Sequence, residues 1–460
     1  MIESNNQRTA LIISTLSSFM TPFMVSSLNV ALPSIGNEFG LDAISLSWVA
    51  TSYLLSAAIF LIPFGRLADI YGRKKIFIYG VTIYTIFSLL ILTSNSGLML
   101  IILRAMQGIG GAMIFGTGVA ILISLTTPTK RGRVLGINVA AVYLGLSAGP
   151  FLGGMLTQHF GWMSIFVLNA LLGLIIIVFT LWKLKGEWAD AKGDKFDYMG
   201  SIFFSIALFL LMYGSSKLPG ATGTCLIITG SISLILFVVW EKRISNPILD
   251  IKLFTHNPVF ALSNAAALIN YSATSAITFL LSLYLQYVKG LSPQATGIVL
   301  VSQPIFMTIV SPLAGRLSDK IEPRILASVG MAFTVVGLLL FAFITSDTSL
   351  TIVTINLIFL GVGFGLFSSP NTNAVMSSVT KEFYSIASAT LGTMRLTGQM
   401  LSMGIVILIF SLSLGRIQIT AENFPEFVGS MRVAFIIFAS LCFIGIFASL
   451  GRGKVHQSND

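Results

Sequence analysis

Fourteen apolar stretches, each about long enough to cross a bilayer, limit what this chain can fold into. A span through hydrocarbon needs about 20 mostly apolar residues, and a helix is favoured because it satisfies its own backbone hydrogen bonds. The stretches are Ala10–Leu32, Ser45–Phe64, Ile76–Thr93, Leu98–Ile121, Val134–Leu156, Trp162–Trp182, Tyr198–Ser216, Ala221–Trp240, Val259–Val288, Pro293–Ala314, Ile325–Thr345, Leu350–Met376, Ser385–Leu414 and Met431–Leu450. Only 10% of residues are charged, against roughly a quarter in a soluble domain, so this apolar surface must meet something other than water. The expected class is an all-α polytopic membrane protein in the cell (cytoplasmic) membrane, with the lipid bilayer as its solvent. The first stretch is too long for a signal-peptide core and reads as a retained span.

The cations set an orientation. Of 27 Lys and Arg, Lys217, Lys289, Arg416 and Arg432 fall on one side, and Arg104 and Arg395 fall within spans. The other 21 share the side of the N-terminus, which by the positive-inside rule puts both termini in the cytoplasm. This topology also accounts for the net charge of +10 without a nucleic-acid partner. Trp48, Trp162, Trp182 and Trp240 sit at span ends, where an amphipathic ring favours the interface. Cys225 and Cys442 lie in apolar runs, and His159, His256 and His456 are scattered, so no metal site or cofactor is expected.

The stretch Gly65-Arg-Leu-Ala-Asp-Ile-Tyr-Gly-Arg-Lys-Lys75 returns in shortened form as Gly315-Arg-Leu-Ser-Asp-Lys320, an offset of 250 residues. The first, second and third spans of the two six-span groups are offset by 249, 248 and 249. The plan is therefore 6+2+6: a six-helix half over 1–182, a linker with two inserted helices over 183–258, and a second half with a short cytoplasmic tail over 259–460. Parallel six-helix halves of this kind place a substrate site near the midplane between them. The connection 183–197 balances four bases with four acids and reads as a solvated linker. No connection is long enough for a catalytic module, and no catalytic constellation is visible, so the chain is not read as an enzyme. A sensor or scaffold would normally carry a soluble output domain, and none is seen.

Several spans carry residues that apolar packing does not require. In 65–75, Gly65 and Gly72 permit a sharp turn, the cations can meet lipid phosphate, and Asp69 can pair with Arg73 or a helix N-terminus. A topology anchor alone is the simpler reading. In the fifth span, Gly145, Gly149, Gly153 and Gly154 allow close helix approach, and Pro150 removes a backbone donor. Such an interface suits two halves rocking, or plain tight packing. Arg104 is costly within a span, about 2.5–3.5 kcal/mol on insertion scales, and should face a cavity or a partner. Gln107 lies one turn along, and Arg395 is likewise followed by Gln399. Asn29, Asn138, Tyr143, Asn270, Gln303, Asn371 and Asn373 complete the polar set, each a candidate either for a cavity or for a helix–helix hydrogen bond.

Gly65-x-x-x-Asp69-x-x-Gly72-Arg73-Lys74 resembles the signature loop of the major facilitator superfamily. Arg104-x-x-Gln107-Gly108-x-Gly110 and Gly145-x-x-x-Gly149-Pro150-x-x-Gly153-Gly154 resemble its fourth- and fifth-helix motifs. Asn29-Val-Ala-Leu-Pro33 resembles the end of the first helix in the 14-helix drug:proton antiporter branch. The resemblance covers nearly the whole chain. It implies an alternating-access transporter of multidrug-efflux type, associated with antibiotic resistance. Gly65, Asp69, Gly72, Arg73, Gly149, Pro150, Gly153 and Gly154 would then serve conformational change. Arg104, Gln107, Asn29, Tyr143, Arg395 and Gln399 would lie on the substrate or proton pathway.

One departure bears on mechanism. The branch usually carries an Asp five residues before Asn29, where this chain has Met24, and none of its 17 acids falls deep in a predicted span. A buried carboxylate is the usual proton carrier and counter-charge for a cationic drug. The expected substrates are therefore small neutral or anionic amphiphiles, handled by a monomer. Protons, if coupled, would use Asp69, Glu38, Asp319 or the substrate itself. The alternative is a carrier for one metabolite or lipid-like solute, without proton coupling.

Overall fold

The computed structural model describes residues 2–126, 131–244, 247–249, 251–380 and 384–453. Lys130, Lys381 and Lys454, counted above among the inner cations, lie outside the described residues, as does the tail beyond 453. Fourteen spans are present among the described residues. The first six are α1 (Ile2–Phe39), α2 (Ala43–Tyr71), α3 (Arg73–Leu90), α4 (Gly97–Ser124), α5 (Arg131–Phe160) and α6 (Met163–Lys183). The inserted pair is α7 (Tyr198–Ser215) and α8 (Ala221–Glu241), followed by the short α9 (Ile251–His256). The ninth span joins α10 (Pro258–Thr274) to α11 (Ile277–Leu283), and the tenth joins α12 (Pro293–Leu300) to α13 (Ser302–Leu317). The last four are α14 (Pro323–Ala342), α15 (Leu350–Ser377), α16 (Tyr384–Ser413) and α17 (Phe424–Gly451).

Capping residues explain several starts. Asp42, Ser96, Ser292 and Ser349 accept a backbone N–H from the first turn of α2, α4, α12 and α15, satisfying donors that have no partner within the helix. The repeat offset reappears as repeated packing. α1 packs on α5, α2 on α4, and α3 on α4 and α6. Correspondingly, α10 packs on α16, α13 on α15, and α14 on α15 and α17. These are two pseudo-symmetric six-helix halves around a central cavity. The inserted helices pack on each other, and α7 touches α2 in one half and α16 in the other. Ile228, Ile232, Ile235 and Val239 of α8 are exposed, as expected of a face turned to lipid.

Three readings need correction. Gly65 lies inside α2, so the turn between α2 and α3 rests on Gly72 alone, whose φ of 118° an L side chain rarely adopts. The connection 184–197 is docked rather than solvated, as described below. Glu241 and Arg452, which fall just beyond the predicted stretches Ala221–Trp240 and Met431–Leu450 and would there be expected to meet water, are 3% and 1% exposed.

Candidate functional site: the cavity between the halves

A cavity of about 150 Å³ lies where the halves meet. Ser26 and Asn29 of α1, Leu54 of α2, Arg104 of α4, and Leu146 and Pro150 of α5 supply one wall. Tyr271 and Thr274 of α10, Ser275, Thr278 of α11, Gln303, Pro304 and Met307 of α13, Phe364 of α15, and Gln399 and Met403 of α16 supply the other. No carboxylate is among its lining residues.

Both broken spans open beside this cavity. Pro304 has no N–H to give Leu300, which explains the interruption between α12 and α13. Between α10 and α11 the Ala276 N–H is taken by Ser402 Oγ at 3.0 Å, which satisfies one donor freed by the break. Irregular backbone at membrane depth is tolerated only where it is buried in protein or lines a cavity.

Arg104 is 1% exposed yet contributes to the wall. Its Nη1 donates to Gln107 Oε1 at 2.6 Å, its Nε to Val49 O at 3.3 Å, and its guanidinium lies 4.6 Å from the Tyr53 ring centre. Gln107 in turn donates to Ser88 Oγ at 2.7 Å. Thus Arg104 reaches the cavity, while Gln107 sits behind it as its anchor. Asn29 and Gln399 line the cavity. Arg395 does not: its Nη2 donates to Thr372 Oγ1 at 2.6 Å, and it lies 5.7 Å from the ring of Tyr271, which does.

Tyr143 belongs to the contact between halves. Its hydroxyl bonds Ser311 Oγ at 3.1 Å and Ser368 Oγ at 3.2 Å. Among the described residues, no hydrogen bond joins the halves nearer the end that holds Gly72, the motif end. The opposite, far end is densely joined. Gln286 Nε2 donates to Val30 O at 2.8 Å, Gln418 Nε2 to Gly40 O at 2.9 Å, and Ala43 N to Ile417 O at 3.1 Å. In the glycine row of α5, Gly145, Gly149 and Gly153 press on α1 within their own half. Only Gly154 and Pro150 meet the other half, against Pro293 and Gly297.

At the motif end, Arg73 is buried and donates to Asp69 from Nε at 2.9 Å and Nη2 at 2.7 Å. It also donates to Ser124 Oγ at 2.6 Å and pairs with Asp190 at 2.7 Å. The connection 184–197 wraps this turn. Glu187 accepts from Lys74 N at 2.8 Å, Asp194 pairs with Arg66 at 2.7 Å, and Arg73 N donates to Trp188 O at 2.8 Å. A Cβ on Gly72 would come within 2.7 Å of the Glu187 side chain, so the glycine serves both the turn and the docking.

The sequence profile of the Major Facilitator Superfamily matches residues 14–403 and 264–458. The chain belongs to the Major Facilitator Superfamily. It is 30% identical over 436 residues to the riboflavin transporter RibZ of Clostridioides difficile, covering 95% of each chain. It is 31% identical over 410 residues to the multidrug resistance protein Stp of Mycobacterium tuberculosis, covering 88% of this chain and 76% of that one. It is 27% identical over 363 residues to the tetracenomycin C resistance and export protein of Streptomyces glaucescens, covering 78% and 67%. A solved peptide transporter in complex with alafosfalin superposes with a TM-score of 0.71 at 14% identity, covering 97% of this chain and 96% of that one, which shows the shared fold.

Within the superfamily fold, most of the polar span residues turn out to join helices. Asn138 donates to Ser14 Oγ at 2.8 Å, Asn373 to Ser318 Oγ at 3.0 Å, and Asn270 to the Cys442 sulfur at 3.9 Å. Asn371 accepts from Arg452 Nη1 at 2.7 Å. Gln303 alone joins Asn29 in the cavity wall. Tyr271, Thr274, Ser275 and Thr278 were not foreseen as wall residues. The signal available for them was Pro304 and the hydroxyl cluster of the ninth span, both marks of interrupted helices.

Proposed function

We propose that this superfamily transporter is an efflux pump of multidrug type, carrying small hydrophobic or amphipathic molecules that are neutral or anionic. The observation that carries the reading is the cavity wall: apolar and aromatic surface, amides and hydroxyls, one guanidinium and no carboxylate. A flexible thioether and aromatic surface suits varied apolar bodies, and Arg104 supplies a fixed positive charge for an acidic one. A dication would meet that charge without a counter-ion. Both termini are taken as cytoplasmic, from the cation count, and the working unit as a monomer. Alternating access would keep the far end sealed while substrate enters past Tyr143. Proton coupling would require Glu38, Asp69, Asp319 or an ionisable substrate, because no carboxylate faces the cavity.

The test is transport by proteoliposomes of three fluorescent probes of similar size, one neutral, one anionic and one dicationic, with the pH gradient imposed or collapsed. The neutral and anionic probes are expected to move, and Arg104→Gln to slow the anionic probe selectively. Equal transport of the dication would defeat the charge argument. A second reading is a carrier for one metabolite, supported by the 30% identity to a riboflavin transporter across 95% of both chains. Riboflavin moving while no drug-like probe does would put that reading first.

A further inference from the structure

Outside the cavity, two buried carboxyl groups face each other without a donor between them. Asp197 ends the connection 184–197 and caps α7. Its Oδ1 accepts from Gly200 N at 3.0 Å and from Trp240 Nε1 at 3.0 Å. Glu241 ends α8, and its Oε2 accepts from Leu249 N at 3.1 Å. Each group therefore has one oxygen committed and one left over. Among the described residues, the remaining oxygens, Asp197 Oδ2 and Glu241 Oε1, are buried and have no hydrogen-bond partner, while the Ile248 backbone N–H also faces the Glu241 carboxylate. Both residues are 3% exposed.

The two oxygens converge on one point. A Cβ added to Gly200 would strike both, and the two side chains lie within hydrogen-bonding reach of each other. Two ionised carboxylates are acceptors only and would repel in this position. The charged groups nearest in sequence do not relieve them. Lys195, Lys242 and Arg243 are exposed, Arg66 is committed to Asp194, and among the described residues no ion pair joins a cation to either acid. Tyr198, next on α7, is exposed. Among the described residues, no group of three or more His, Cys, Asp or Glu side chains gathers here that could hold a metal ion.

We propose that Asp197 and Glu241 form a proton-binding pair, one carboxyl and one carboxylate sharing a single proton, which fastens the inserted α7–α8 hairpin to the connection leaving the N-terminal half. The same connection grips the Gly72 turn through Glu187, Asp190 and Asp194, and α7 touches both halves. The bound proton thus sits where a change in the pair would alter how the hairpin is tied to the moving parts. Its pH dependence has a definite sign. In the unfolded chain the two acids are separate and have lost their protons above about pH 5. From there upward the folded protein holds one more proton than the unfolded one, so stability declines with rising pH until the pair is fully ionised.

The experiment uses full-length protein in nanodiscs and no substrate, so its outcome is independent of the transport reading. Infrared titration reads the protonated-carboxyl stretch, and thermal unfolding is followed across about pH 5–9. Wild type is expected to show the band at neutral pH and a Tm that falls as pH rises. Glu241→Gln should abolish that band and flatten the Tm profile, because its amide donates to Asp197 Oδ2 at every pH. Asp197→Asn should do the same from the other side while keeping an effective helix cap. A band that survives both substitutions, or Tm profiles of wild type and Glu241→Gln that run parallel, would overturn the proposal.

Discussion

Replacing Gly154 by alanine should force the far end of the bundle apart. A Cβ there would sit 3.1 Å from Gln294 Cα and closer still to the Pro293 carbonyl oxygen. The reciprocal contact sets Gly297 against the Pro150 carbonyl, with a Cβ 2.9 Å from its carbon. Both obstacles are backbone, so no side chain can swing aside and relief requires α5 and α12 to separate. Overpacking of this kind costs about 1–3 kcal/mol. Charged only to the state with the far end sealed, that shifts the balance between conformations by roughly 5- to 150-fold. Gly154→Ala and Gly297→Ala act on one interface, so the double variant should shift the balance by less than the product of the two singles. The assay is the modification rate of Ser275→Cys, a cavity-lining position, in a Cys225→Ser background, with a membrane-impermeant reagent added on the far side. Gly136→Ala is the control, since a Cβ there meets nothing within 4 Å. Labelling of Gly154→Ala at the control rate, with normal thermal stability, would refute the argument that these contacts form the seal.

Three other perturbations test separate parts of the structure. Asn138→Ala removes bonds to Ser14 and Ser18 away from the cavity, so thermal stability should fall by about 0.6–1.7 kcal/mol while initial transport rates are unchanged. Arg73→Lys cannot hold Asp69, Asp190 and Ser124 together, because an ammonium lacks the guanidinium fork. A stability loss on the order of 1–3 kcal/mol by thermal unfolding is expected, and an unchanged Tm would show the cluster to be dispensable. Tyr143→Phe removes the hydroxyl bridging Ser311 and Ser368, each bond worth about 1 kcal/mol. Labelling of the same Ser275→Cys from the motif side should then accelerate, and an unaltered rate would exclude Tyr143 as part of the barrier.

The candidate site was partly legible in the sequence. A lone cation in an apolar run has a large desolvation penalty, which is why Arg104 could be singled out and does reach the cavity. Its neighbour Gln107 shares nearly the same helix face, yet a few ångströms of depth make it an anchor rather than wall. Arg395 carries the same penalty and meets it through Thr372 and the Tyr271 ring. Glu241 and Arg452 were missed because a charge at a span end normally snorkels to water. Here neighbouring elements cover them: Leu249 and Asp197 over Glu241, Ser263 and Asn371 over Arg452. The connection 184–197 was misread because balanced charges look the same whether they are solvated or, as here, engage Arg66, Arg73 and the Lys74 backbone N–H.

By itself, the sequence determined the number of spans and the pseudo-repeat. Apolar runs must become helices in hydrocarbon, and an offset of about 250 residues survives any detail of packing. It also determined that the cavity would lack an acid, since none was available at that depth. The tertiary structure alone decided which polar residues face the cavity and which join helices, because a helical face has no meaning until a neighbour covers it. It alone decided that hydrogen bonds join the halves densely at one end, and that Asp197 and Glu241, 44 positions apart, share one buried space. Those outcomes depend on distances of a few ångströms between helices, which residue spacing along the chain does not encode.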